Sequence, residues 1–166
     1  MVADIAERLG WHPADIPEVA GRSPKLSWAT PDGASVGLYS EPAFDCRYLD
    51  FVGPDLEQLS WNIGRFGVHI TAPMVLGAAR RAEKDEDRVR IAGQIACVFP
   101  RGLSAAGVEQ LRSWYEQGGD ALRDAVLAAI EYRNWPEAAG LLVRIHSDAN
   151  EARSERAARV QARIPT

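Results

Sequence analysis

Cys46, His69 and three aspartates, Asp45, Asp50 and Asp55, are the side chains whose types could do chemistry together. A thiol beside an imidazole, with a carboxylate to orient the ring, is the arrangement of a nucleophilic enzyme. Cys46, however, lies in the run AFDCRYLDFVG, where Phe44, Cys46 and Tyr48 share one face of an expected strand. A thiol on an apolar strand face is by default buried and inert. A small enzyme using Cys46 or an aspartate with His69 is therefore the alternative reading. Cys97, on the most apolar helical segment, reads as core.

No phosphate loop, dinucleotide fingerprint, nucleophile elbow or HExxH helix occurs in the chain. Two cysteines far apart suit neither a zinc site nor a disulfide scaffold. His12 stands beside a proline and His146 at a helix C-terminus, where the helix dipole favours it. Asp85, Glu86 and Asp87 read as a loop and a cap. No metal and no cofactor is expected.

The same region reads differently as a surface. Residues 1–72 carry 5 Lys+Arg against 10 Asp+Glu, a net charge of -5, whereas residues 73–166 carry 14 against 13. The acidic part also holds Trp28, Tyr39, Tyr48 and Trp61. Aromatic rings left exposed inside an acidic rim have the make-up of a binding hot spot. The candidate partner-binding residues are Asp45, Asp50, Asp55, Tyr48 and Trp61, and the partner they suit is a basic protein. Nucleic acid is not expected. Arg80, Arg81, Arg88, Arg90, Arg153, Arg156, Arg159 and Arg163 interleave with acids, and phosphate binding needs a net basic face. No membrane partner is expected, since no stretch has the apolar length of a spanning helix. The opening MVADIAERLGW carries acids and no long apolar run, unlike a signal peptide. The expected location is the cytoplasm.

The elements that must position these residues fall into two parts. Residues 2–9 form a short amphipathic helix, which Gly10 can end. A proline-rich loop follows. KLSWAT and ASVGLYS flank PDG, a hairpin turn with Gly33 at positive φ, and AFDCRYLDFVG adds a third strand. Residues 54–66 are spaced for a helix ending near Gly64, although the segment from Phe66 to Thr71 could hold a fourth strand. From Pro73 the chain reads as helices. Breaks fall at EKDEDR, PRGLS, QGG and NWPE, with Asp87, Ser104, Asp120 and Asn134 as expected caps. Asn134 with Glu137 three residues on is a capping-box pattern.

Two stretches, DRVRIAGQIACVFPRGLSAAGV and DALRDAVLAAIEYRNWPEAAGL, align at a shift of 33 residues. Asp87, Arg90, Ala92 and Ala96 meet Asp120, Arg123, Ala125 and Ala129. A period near this length suits stacked helix pairs. DEDRVRIAGQIA resembles the second helix of HEAT-like repeats through Asp87, Val89, Arg90, Ala92 and Ala96, over roughly residues 85–146. That resemblance implies a protein-binding scaffold. The highly charged EARSERAARVQARI would then close the array.

The expected fold is α+β: a small antiparallel β-sheet with an N-terminal helix, then antiparallel helical hairpins packed as a short HEAT-like array. Residues 1–72 make the first part and 73–166 the all-helical part, packed together as one unit. The leading function is a non-enzymatic cytoplasmic protein-binding module, of the kind of an immunity-type inhibitor that blocks a basic partner through an acidic face. A homodimeric structural module, a homo-oligomer through its helical face, is a third reading.

Overall fold

The computed structural model describes residues 2–16, 24–44, 46–66, 70–99 and 104–164, with the side chains of Ala43, Leu56 and Ser60 set aside. The fold is α+β, as the patterning predicts. The chain divides into two compact units, Met1–His69 and Ile70–Thr166.

The first unit opens with α1 (Val2–Arg8), whose Asp4 in the first turn and Arg8 in the last both suit the helix dipole. Gly10, at φ +70°, turns the chain out of it. Four strands follow in the order β1 (His12–Pro13), β2 (Leu26–Ala29), β3 (Ser35–Glu41) and β4 (Cys46–Val52), each antiparallel to the next. The expected three-stranded meander is present, and the two-residue β1 widens it. Gly33 takes φ +81° in the β2–β3 turn, and the Thr30 hydroxyl accepts the Ala34 N–H at 3.0 Å.

Residues opposite one another in an antiparallel ladder share a face. Trp28 faces Val36, Val36 faces Phe51 and Leu38 faces Leu49, so these side chains form one apolar surface. Val2 and Ala6 of α1 and Leu9 just after it cover it, with Leu59 and Ile63 from α2 (Leu56–Gly64). Here one expectation is corrected. The apolar face of β4 is Leu49 and Phe51, not Phe44, Cys46 and Tyr48. Both alternating sets are apolar enough to be a core face, and the register with Leu38 and Val36 selects the first. Phe44 ends a 3-10 turn, Pro42–Phe44, outside the strand. The possible fourth strand between Phe66 and Thr71 falls on residues 67–69, outside the described residues.

The second unit is built from α3 (Ala72–Arg81), α4 (Asp85–Val98), α5 (Ala105–Gln117), α6 (Asp120–Arg133), α7 (Ala139–His146) and α8 (Glu151–Gln161). Its core includes Ile95, Leu111, Leu122, Leu127, Ile130, Leu141 and Ile145. Each such side chain contributes roughly 1.5–3 kcal/mol through burial. Gly107 lets α5 approach α4 closely, since a Cβ there would stand 2.9 Å from Ile95 Cγ2.

The helices form consecutive pairs, α3–α4, α5–α6 and α7–α8, and polar bonds show how the pairs stack. At one end of α4, Asp85 accepts the Gly119 N–H at 3.2 Å. At its other end Arg133 donates to the Ala96 and Cys97 carbonyls, and the Trp135 indole donates to the Phe99 carbonyl at 3.2 Å. The two N-termini and the two C-termini therefore coincide, and α4 runs parallel to α6. Arg153, near the start of α8, bonds Asp120 and Asp124 at the start of α6, and Arg156 bonds Glu131 further along. The second helices of the three pairs thus stand side by side in one direction.

Several caps differ from expectation. Lys84 precedes α4, and Asp87 is its third residue, paired with Arg90 at 3.5 Å. Asn134 closes α6 in the left-handed conformation, φ 51°, rather than opening the next helix. Glu137 lies in a 3-10 turn, Pro136–Ala138. Ser104 does precede α5, without a side-chain capping bond.

The burial pattern follows a shift of 35 residues rather than 33. Asp85–Val98 and Asp120–Arg133 begin and end in step at 35, and buried Ile91, Ala92 and Ile95 then meet buried Val126, Leu127 and Ile130. A two-residue offset is a rotation of about 200° on a helix, which would set core positions against solvent positions. Arg88 and Arg123 also correspond at 35. Each reaches back to a carbonyl of the preceding segment, Ala82 at 3.1 Å and Tyr115 at 3.0 Å.

Candidate functional site

The residues singled out in the first unit are placed by β4 and α2. Cys46, Tyr48 and Asp50 alternate along β4 on the face opposite Leu49 and Phe51. Tyr48 stacks on Tyr39, its ladder partner, with ring centroids 5.4 Å apart and planes 14° from parallel. Asp50 faces Gly37, whose missing side chain makes room for the Tyr39 ring. A Cβ at Gly37 would stand 2.6 Å from Tyr39 Cε2. Burial, then the charge of Asp50 and the neighbouring Tyr48, push the Tyr39 phenol up from its ordinary pKa. One Asp50 carboxylate oxygen accepts the Phe51 N–H at 3.1 Å. Cys46 is half-buried and forms no disulfide. Asp45 and His69 lie outside the described residues, so the Cys46–His69 pairing has no described geometry.

Trp61 is set apart from this group. Leu59 and Ile63 hold α2 against the sheet, and a residue midway between them on a helix points away from it. Trp61 is accordingly 60 % exposed. Glu57 and Arg65, one turn to either side, share its stripe, and the Arg65 guanidinium lies over the indole at 5.2 Å. Asp55, just before α2, is exposed and left-handed at φ 54°. Trp61 therefore belongs to the outer side of the helical layer, Asp55 to the exposed start of α2, and Tyr48 and Asp50 to the opposite face of the sheet. Of the expected residues, the described Tyr48 and Asp50 lie on the sheet face opposite the one that α2 covers, apart from Trp61.

Patterning did not single out a dense polar cluster in the second unit. Arg153 has a side chain only 1 % exposed. Its Nη2 meets Asp120 at 2.9 Å, its Nε meets Asp124 at 2.9 Å, and its Nη1 meets Asp148 at 3.0 Å. Burial works against its charge, but these three carboxylates outweigh it and raise its pKa. Asp148 also accepts the Tyr115 hydroxyl and the Asn150 N–H. The bond from Tyr115, then that from Asn150, together with Arg153, hold the Asp148 carboxyl well below the usual carboxylate range despite its burial. Burial and the bond to Asp148 push the Tyr115 phenol up to about 12. At neutral pH each proton is fixed: the acid ionised, the phenol and guanidinium protonated. Such a cluster positions helices and is unsuited to general acid–base work. A signal for it exists in the sequence. Arg153, Ala157 and Val160 share one helical stripe, and an arginine on a buried stripe requires carboxylates opposite it.

Beside the cluster lies an open cleft of about 270 Å³ lined by Tyr115, Glu116, Arg123, Arg144, Ser147 and Asp148. Its two arginines are matched by two carboxylates, so its lining selects neither anions nor cations. Among the described residues, no three His, Cys, Asp or Glu side chains converge to hold a metal ion. Among them, too, no helix is long and apolar enough to cross a membrane.

No protein-family model matches the chain, and no curated protein or solved structure shows significant similarity to it.

Proposed function

We propose that the chain is a non-enzymatic protein-binding module whose partner is a basic protein, bound by the outer side of α2. The exposure of Trp61 carries this reading. Burying an indole that is 60 % exposed gains apolar contact, and tryptophan and arginine are the residue types that dominate binding energy at interfaces. Glu57 on the same stripe and the exposed Asp55 at the start of α2, with the net charge of -5 over residues 1–72, supply acidity for a basic partner. Acidity of this kind steers association and makes it sensitive to salt. An immunity-type inhibitor, which covers a basic protein with an acidic surface, matches this chemistry. The stacked helix pairs of the second unit suit a rigid scaffold, of the kind HEAT-like arrays provide, and the cytoplasm is the compartment proposed. Tyr48 and Asp50, on the other side of the sheet, are not assigned to this surface. The test is binding of the basic partner by Trp61→Ala and Asp55→Lys chains that melt as the parent does.

A further inference from the structure

We propose that α8 is a strap that opens independently of the rest of the second unit, and that ion pairs rather than apolar burial set its docking. On its buried side α8 places Arg153, Ala157 and Val160. By contrast α6, which it packs against together with α7, buries Leu122, Val126, Leu127, Ala129 and Ile130. The apolar area that would hold α8 down is thus two small side chains. The remaining attachment is the Ser154 hydroxyl, which donates to the His146 carbonyl at 2.6 Å, and charge. Arg153 meets Asp120, Asp124 and Asp148, Arg156 meets Glu131 at 2.6 Å, and Arg163, just beyond the helix, meets Glu131 at 3.7 Å.

Charge of this kind fixes a position without fixing it tightly. Undocking returns a desolvated guanidinium to water, and recovered hydration offsets much of the lost attraction. Asp120 and Asp124 are already 78 % and 58 % exposed, so they lose little when Arg153 leaves. The hinge is short, Ser147–Asn150. Its Asp148 stays anchored to the Tyr115 hydroxyl of α5, and two local bonds lead into α8: Asn150 N–H to Asp148, and Arg153 N–H to the Asn150 side chain at 3.1 Å. Both survive if α8 swings as a body. Opening would bare the α6–α7 surface beneath Ala157 and Val160. Regions that open alone are those with few buried apolar contacts.

Amide hydrogen exchange on the full chain tests this, comparing residues 154–161 with residues 126–133. It is run at about 50 mM and about 1 M salt, which changes screening strongly. The parent chain is compared with Glu131→Gln, which removes two pairs without touching the Arg153 cluster. The expected result is that α8 exchanges at least about tenfold faster than α6. High salt and Glu131→Gln should each speed α8 further and leave α6 unchanged. A common exchange rate for α8 and α6 would overturn the proposal. So would an α8 rate indifferent to both salt and Glu131→Gln.

Discussion

Arg153 and Tyr115 meet on a single oxygen: Oδ2 of Asp148 receives Arg153 Nη1 at 3.0 Å and the Tyr115 hydroxyl. The pairing ties the end of α5 to the start of α8 through the turn between α7 and α8. It makes the titration of Tyr115 a reporter of the second unit. The phenol is favoured in its protonated form by folding, with a folded pKa of about 12 against an ordinary 10.0. Its contribution to stability is whole below pH 10 and disappears as pH rises from 10 to about 12. Urea unfolding followed by helical circular dichroism should show that loss in the parent and a smaller one in Tyr115→Phe. At neutral pH, Tyr115→Phe should cost about 1.5–3 kcal/mol, the net worth of a hydrogen bond to a charged group.

The same oxygen sets the acid side. Folding depresses the Asp148 pKa, so its contribution is present above the ordinary carboxylate range. It is lost only as pH falls through the depressed folded value. Asp148→Asn should flatten the acid limb of the stability curve. An unchanged limb in that variant would show that other carboxylates control acid unfolding.

Trp135 is fully buried, and its indole N–H satisfies the Phe99 carbonyl at the end of α4. Trp135→Phe keeps an aromatic ring but leaves that carbonyl unpaired. The expected cost is about 1–3 kcal/mol, the penalty of an unsatisfied buried group, read by urea unfolding of the second unit.

Gly53 holds φ +142°, and a Cβ there would stand 2.6 Å from Ala34 Cα. Gly53→Ala should therefore strain the end of β4 against the β2–β3 turn. A loss of roughly 1–3 kcal/mol is expected in the first unit, measured by thermal melting. Gly33→Ala is the contrast. It shares the positive φ, but nothing lies within 4 Å of its Cβ position, so its cost should be smaller.

Much of the fold was legible because periodicity and breakers are local signals. Val2–Arg8, the PDG hairpin and the six helices of the second unit follow from apolar spacing with Gly and Pro. Choices between two locally equivalent patterns were not legible. On β4, Cys46–Tyr48 and Leu49–Phe51 alternate equally well, and only pairing with Val36 and Leu38 decides the core face. Asn134 serves equally at a helix start or in a left-handed stop, and the close of α6 at the Ile130 carbonyl selects the stop. The 33-residue alignment followed abundant alanines, whereas burial follows 35. The separation of Trp61 from Tyr48 was not legible for a related reason. Trp61 and Tyr48 are near in sequence but are placed on opposite sides of the sheet by α2 packing on Leu49 and Phe51. The Arg153 cluster joins residues 5, 29 and 33 positions apart, a separation that single-segment patterning does not see.

The most direct measurement is capture of binding proteins on the parent chain, on Trp61→Ala and on Asp55→Lys in parallel, at low and high salt, with the captured protein then purified and titrated. Trp61 is exposed, so Trp61→Ala should change stability by no more than about 0.5 kcal/mol. The predicted result is one protein of net positive charge that the parent holds at low salt. High salt should release it, Asp55→Lys should weaken it, and Trp61→Ala should lower its affinity at least about tenfold, as loss of a hot spot does. A partner bound equally well by the parent and by Trp61→Ala, or one of net negative charge, would contradict the account.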